Sequence, residues 1–194
     1  MLREEALRRG MAGADKVVLL LDGAVGLEHM GLKCFSTAVQ IVDFYHSVEH
    51  AGEVLHALIG KDHPRYRARQ RRWAKALLQD KVGSLIEQTR KEAKGTPKEA
   101  QVEERLGYFV RNAHRMQYGT FRRQGYFIGS GVVEAGCRSV IGVRCKQSGM
   151  RWSLAGAENV LALRCIHQSR RLNEFWKDRL NSHVARNDAL CLTA

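Results

Sequence analysis

No C-x-x-C pair occurs among the five cysteines, Cys34, Cys137, Cys145, Cys165 and Cys191. Their count is odd and no signal peptide precedes them, which predicts reduced thiols in a cytoplasmic protein. No apolar stretch approaches the roughly 20 residues that span a bilayer, so no membrane-embedded segment is expected. The opening Met1–Gly10 reads as a charged helix closed by glycine, not as a targeting sequence. Internal repeats and low-complexity tracts are also lacking. Acidic residues are scarce downstream: residues 61–194 hold 27 Lys/Arg against 12 Asp/Glu, a balance of +15. Residues 1–60 hold 5 against 8, or −3. The net charge of +12 favours nucleic acid or an anionic membrane surface as partner.

The first 60 residues alternate in character. Residues 2–12 predict a short helix. Residues 16–21 are apolar and continuous, as in a buried strand. A short helix over 27–33 and a second strand, Ala38–Val42, follow. A helical pattern then runs from Phe44 to about Leu58 and stops at Gly60. This order predicts an α/β domain with at least part of a parallel sheet. Residues 61–127 are charged and poor in β-branched runs, and read as an α-helical insertion. Helices are expected over Arg65–Leu78, Val82–Ala93 and from about Val102 to Met116. Past the turn Gly129-Ser130-Gly131, one helix should reach Cys145, and Ser153 should cap another from Leu154 to Arg170. A last amphipathic helix carries Leu172, Phe175, Trp176 and Leu180, and residues 183–194 read as a tail.

Three carboxylates stand out within this frame. Asp22 ends the first apolar run and Asp43 ends the second. Glu134 follows the glycine turn, at the start of a helix. Ligand sites in open α/β sheets form outside the carboxyl ends of strands. Each residue also has a plainer reading: Asp22-Gly23 suits a turn, and a helix dipole favours a glutamate in its first turn. His46-Ser47-Val48-Glu49-His50 matches the H-x-x-E-H pattern of some zinc peptidases, with His46 and His50 on one helix face. That pattern accounts neither for Asp22 nor for the downstream positive charge. The basic residues include Arg65, Arg67, Arg69, Arg71, Arg72 and Lys75, with only Asp62 nearby to compensate. Like charges at i, i+4 repel, and a phosphate backbone would relieve them. The segment Arg144-Cys145-Lys146-Gln147-Ser148-Gly149-Met150-Arg151-Trp152 joins cations to an aromatic ring, as phosphate contact with base stacking requires. Trp152 suits a core position equally well.

Four spans together resemble a bacterial insertion-sequence transposase of the ISKra type, within the Mutator-like DDE group. They are Asp22-Gly23-Ala24, Ala38 to His46 with Glu49 and His50, Ile128 to Glu134, and Lys146 to Trp152; Phe175-Trp176 fits as well. The resemblance covers about residues 1–180. It implies an RNase H-like catalytic domain with the second catalytic acid at Asp22 and the third at Glu134. Their separation of 112 residues (134 − 22) accommodates a helical insertion. Asp43-x-x-His46 matches the group's C/D-x-x-H motif, which makes His46 a site-organising or DNA-contacting residue and Asp43 a further candidate. Two positions depart from the group: Ala24-Val25-Gly26-Leu27 lacks the frequent tryptophan, and Ala135 stands where serine is frequent.

The resemblance places the first acid on a strand upstream of a three-strand meander, and nothing before Leu19 offers one. The expectation is therefore a partial RNase H-like fold lacking its first strands. Residues 1–60 and 128–182 would form the core, and 61–127 the insertion. Such a chain would be the C-terminal part of a transposase, inactive by itself. The implied cofactor is a pair of Mg²⁺ or Mn²⁺ ions held by Asp22 and Glu134. The implied partners are the DNA of the element ends and target, with Arg69, Arg71, Arg72, Arg144, Lys146, Arg151 and Trp152 as the contacting set. A homo-oligomer is implied for the full-length form, as is a bacterial, nucleoid-associated location. Competing readings are a non-catalytic DNA-binding remnant and the zinc peptidase.

Overall fold

The computed structural model describes the backbone of residues 2–191 and the side chains of residues 2–182. The chain is mostly helical, with two short strands. Two units result, residues 1–130 and 131–194, and each is taken by itself.

In the first unit, α1 (Leu2–Arg8) and a 3-10 turn (Met11–Gly13) lead into β1 (Val18–Leu21). Helix α2 (Val25–Cys34) then crosses to β2 (Val39–Val42). The strands are parallel and in register, Val18 facing Val39 and Leu21 facing Val42. A parallel pair needs such a crossover, and the apolar runs 17–21 and 38–42 supply the strands. The α/β order expected for residues 1–60 is present in this pair; the sheet has no third strand among the described residues.

Helix α3 (Phe44–Ile59) starts directly after β2. Its buried residues Ser47, Ala51, Val54, Leu55 and Leu58 recur at helical spacing, so one face packs inward. Gly60 ends it with φ of +85°, a left-handed conformation that other residues adopt at a cost. Helices α4 (Tyr66–Leu77), α5 (Val82–Ala93), α6 (Glu99–Asn112) and α7 (Tyr118–Arg123) follow. The core is continuous from Ile41 and Val42 through α3 into Trp73, Leu77, Leu85, Leu106, Phe109 and Tyr118. The helices of 61–127 thus share one core with the strands. Val110, expected on the apolar face of α6, is instead half-exposed. It sits between Phe109 and Arg111, on the edge of the stripe.

Three polar devices, two of them buried, fix this packing. Tyr118 Oη and Ser47 Oγ lie 2.7 Å apart, both fully buried. Asp80 accepts hydrogen bonds from the Gly119 and Thr120 amides at 2.7 and 2.9 Å, capping α7 from 39 residues upstream. Arg115 is 3% exposed and donates to Glu28 on α2, Gln40 on β2 and Asn112 on α6. A buried guanidinium is tolerated only with such partners.

The second unit opens with α8 (Gly131–Cys137), then widens into a π-helical turn (Arg138–Gly142) before α9 (Val143–Cys145). The expected single helix to Cys145 is thus interrupted. Arg164, on α10 (Leu154–Gln168), donates to the Ser139 and Val140 carbonyls at 2.7 and 2.9 Å, satisfying oxygens in the π turn. Ser153 caps α10 by accepting the Gly156 amide, as its sequence position predicts. The last helix, α11 (Leu172–Cys191), continues past Ser182 into the segment expected as a tail. Side chains of 183–191 and all of 192–194 lie outside the described residues. Among the described residues no helix is long and apolar enough to cross a membrane.

Candidate functional site

Both strands end at their carboxyl edge in an aspartate. Because Leu21 pairs with Val42, Asp22 and Asp43 stand at equivalent positions on neighbouring strands. Asp43 is buried, and its Oδ1 accepts the His46 amide at 2.8 Å as the N-cap of α3. Its Oδ2 accepts the Ser130 amide, while the Phe44 amide donates to Ile128 O at 2.8 Å. Asp43 therefore pins residues 128–130 beside the start of α3. Gly129 permits this approach, because a Cβ there would fall 2.9 Å from the Tyr45 ring. Of the expected catalytic acids, Asp43 is the one that accepts a backbone amide on each of its oxygens.

Asp22 is exposed. Its Oδ1 accepts the Ala24 amide at 2.8 Å, an Asx turn that orients the carboxylate. The turn is also held from α6: Tyr108 Oη donates to the Asp22 carbonyl at 3.0 Å. Gly23 adopts φ of +88°, and a Cβ there would sit 2.8 Å from Tyr108 Oη. Glycine is thus required twice, for its backbone and for the phenol packed on it. Burial pushes the Tyr108 phenol up to about 12, and the Asp22 carboxylate adds to this. Tyr108 therefore remains a donor through the neutral range.

The other face of Tyr108 meets the two histidines. The His50 ring stacks on it at 3.8 Å and 25°. His46 lies edge-on to both, 4.9 Å from His50 and 6.4 Å from Tyr108 between ring centroids. Burial holds the His50 imidazole below its ordinary value, against the opposing pull of Glu53, whose Oε2 lies 3.2 Å away. His46 Nδ1 lies 3.4 Å from Glu49 Oε2. The structure thus gathers Asp22, His46 and His50 around one tyrosine, with Asp43 behind them. Among the described residues, no three His, Cys, Asp or Glu side chains are arranged to hold a metal ion. Glu134 belongs to the second unit, in the first turn of α8.

The expected DNA-contacting residues divide. Arg69 is paired with Glu92 at 2.5 Å. Arg71 and Arg72 are exposed and have no ion-pair partner among the described residues. In the second unit, Arg144 lies over the Trp152 ring at 4.8 Å and reaches Met150 Sδ at 3.2 Å. One face of Trp152 is therefore covered by a cation. Lys146 and Arg151 are exposed beside this pair.

Tyr108 is the residue that sequence reasoning missed. Its partner at Asp22 is 86 residues away, beyond any periodic signal. The available clue was a tyrosine adjacent to Phe109, displaced from the Val102–Leu106–Phe109 stripe. No family model, curated protein or solved structure matches this chain.

Proposed function

We propose that the chain acts in DNA transposition as a DDE-type transposase with an RNase H-like core, Asp22 and Glu134 supplying two of its three metal-binding acids. The observation that carries this reading is the Asp22 turn. An exposed carboxylate at the carboxyl end of a parallel strand is held by an Asx turn, a glycine and a tyrosine from another helix.

The donor chemistry fits a hard divalent cation: Asp22 and Glu134 offer carboxylate oxygens, which suit Mg²⁺ or Mn²⁺. When bound, a pair of such ions supplies an activated nucleophile and a stabilised leaving oxygen for in-line attack on a phosphodiester. Asp22 presents Oδ2 while the Ala24 amide holds Oδ1. His46, fixed in the first turn of α3 by Asp43, borders the site from that helix. Arg71, Arg72, Lys146 and Arg151 attract and orient the phosphate backbone.

The test is a Mn²⁺ titration followed by electron paramagnetic resonance in the presence of a short DNA duplex. Wild-type chain takes up Mn²⁺, and Asp22→Asn and Glu134→Gln each lose that uptake. Uptake unaffected by both substitutions rejects the assignment. DNA binding without any Mn²⁺ uptake in the wild type favours a non-catalytic DNA-binding protein instead.

A further inference from the structure

We infer that the cleft between α3 and α4 clasps the sugar–phosphate backbone of DNA through Arg67 and Arg71. The inference rests on DNA as the partner of this chain and names the surface that meets it. The cleft encloses about 390 Å³ and is lined by Val48 of α3 and by Tyr66, Arg67, Gln70, Arg71 and Ala74 of α4.

The two arginines lie one helical turn apart, so both guanidinium groups serve the same side of α4. Neither has an ion-pair partner among the described residues, and both are exposed. Their mutual repulsion destabilises α4 unless an anion lies between them. No carboxylate lines the cleft. The contrast with Arg69 is internal to the helix: its side chain leaves on another side and is neutralised by Glu92 of α5.

The remaining walls suit a backbone and not a base. Tyr66 Oη donates to the Gly52 carbonyl at 3.0 Å, which anchors the ring against α3. A Cβ at Gly52 would fall 3.0 Å from Tyr66 Oη and 3.1 Å from Gln70 Nε2. Glycine therefore lets both polar side chains lie down on α3. Gln70 adds amide donors beside the guanidinium pair, and Val48 and Ala74 offer an apolar surface for deoxyribose. Guanidinium contacts to phosphate hold register without reading sequence. The cleft thus accounts for sequence-independent grip.

The experiment measures binding of a short duplex of arbitrary sequence by fluorescence anisotropy over a range of salt. Each phosphate contact contributes about 0.9 to the slope of log affinity against log salt. The double variant Arg67→Gln/Arg71→Gln should lower that slope by about 1.8, with weakening that is uniform across sequences. Arg69→Gln should leave the slope unchanged, and Arg67→Lys/Arg71→Lys should restore most of it. A wild-type slope in the double glutamine variant overturns the cleft and leaves the transposase reading standing. An equal loss in Arg69→Gln also overturns it, because the charge would then act without location. A wild-type chain that binds no DNA at low salt removes the partner itself, and both readings fall together.

Discussion

Asp22 and Asp43 occupy the same place on adjacent parallel strands, yet the fold uses them in opposite ways. Asp43 is 6% exposed and accepts two backbone amides, one local and one 87 residues away. Asp22 faces solvent and commits one oxygen to its own turn. The difference arises from what each strand runs into. After β2 the chain enters α3 at once, so the aspartate becomes a helix cap under the returning segment 128–130. After β1 it enters a glycine turn that Tyr108 props from beneath. An acid at a strand end is thus a candidate ligand only where the structure leaves its oxygens free.

The sharpest way to break this comparison is to remove each aspartate and its supports in turn. Asp43→Ala should cost about 3 kcal/mol, because two backbone amides lose a charged acceptor in a buried setting. Thermal denaturation reads the loss, and a change near zero would make Asp43 dispensable to the fold. Gly23→Ala comes next, at about 2 kcal/mol for a side chain forced into a left-handed turn against a phenol. Tyr108→Phe should cost about 1 kcal/mol, the value of one neutral hydrogen bond, and should speed hydrogen exchange at Gly23 and Ala24. Asp22→Asn should stay within about 0.5 kcal/mol of wild type in stability. A large destabilisation there would mean that Asp22, like Asp43, serves the fold.

A smaller effect comes from His50. Burial keeps its folded-state pKa below the ordinary 6.5, so the unfolded chain binds the proton more readily. The contribution of His50 is therefore fully present above that ordinary value. It declines as the pH falls toward the depressed folded value. His50→Gln should flatten this acid-side decline in a pH series of denaturation curves; an unchanged decline would assign it to other groups.

The sequence made local features legible and long-range ones not. Apolar runs located β1 and β2 within two residues, and the periodicity over 82–93 coincides with α5. Ser153 is a cap where its sequence position predicts one, whereas Asp43, read as a strand-end acid, proves to be the N-cap of α3. The fate of Arg69 was hidden because its partner Glu92 lies 23 residues on, in another helix. The clamp of Asp43 on Ser130 and the support of Asp22 by Tyr108 depend on how α6 and the 128–130 segment return to the sheet. No hydrophobic period encodes that return. The π turn at 138–142 was equally hidden, since the Arg164 side chain that satisfies its carbonyls comes from α10.

The central proposal is that Asp22 and Glu134 are metal-binding acids. Iron-directed cleavage tests it most directly. Fe²⁺ is added to the folded chain in place of Mg²⁺, ascorbate and peroxide generate radicals at any bound ion, and the cut sites are mapped by mass spectrometry. The account predicts cuts around Asp22–Ala24 and around Glu134, both suppressed by excess Mg²⁺, the first lost in Asp22→Asn and the second in Glu134→Gln. Cuts that persist in both variants, or cuts confined to one of the two regions, would contradict it.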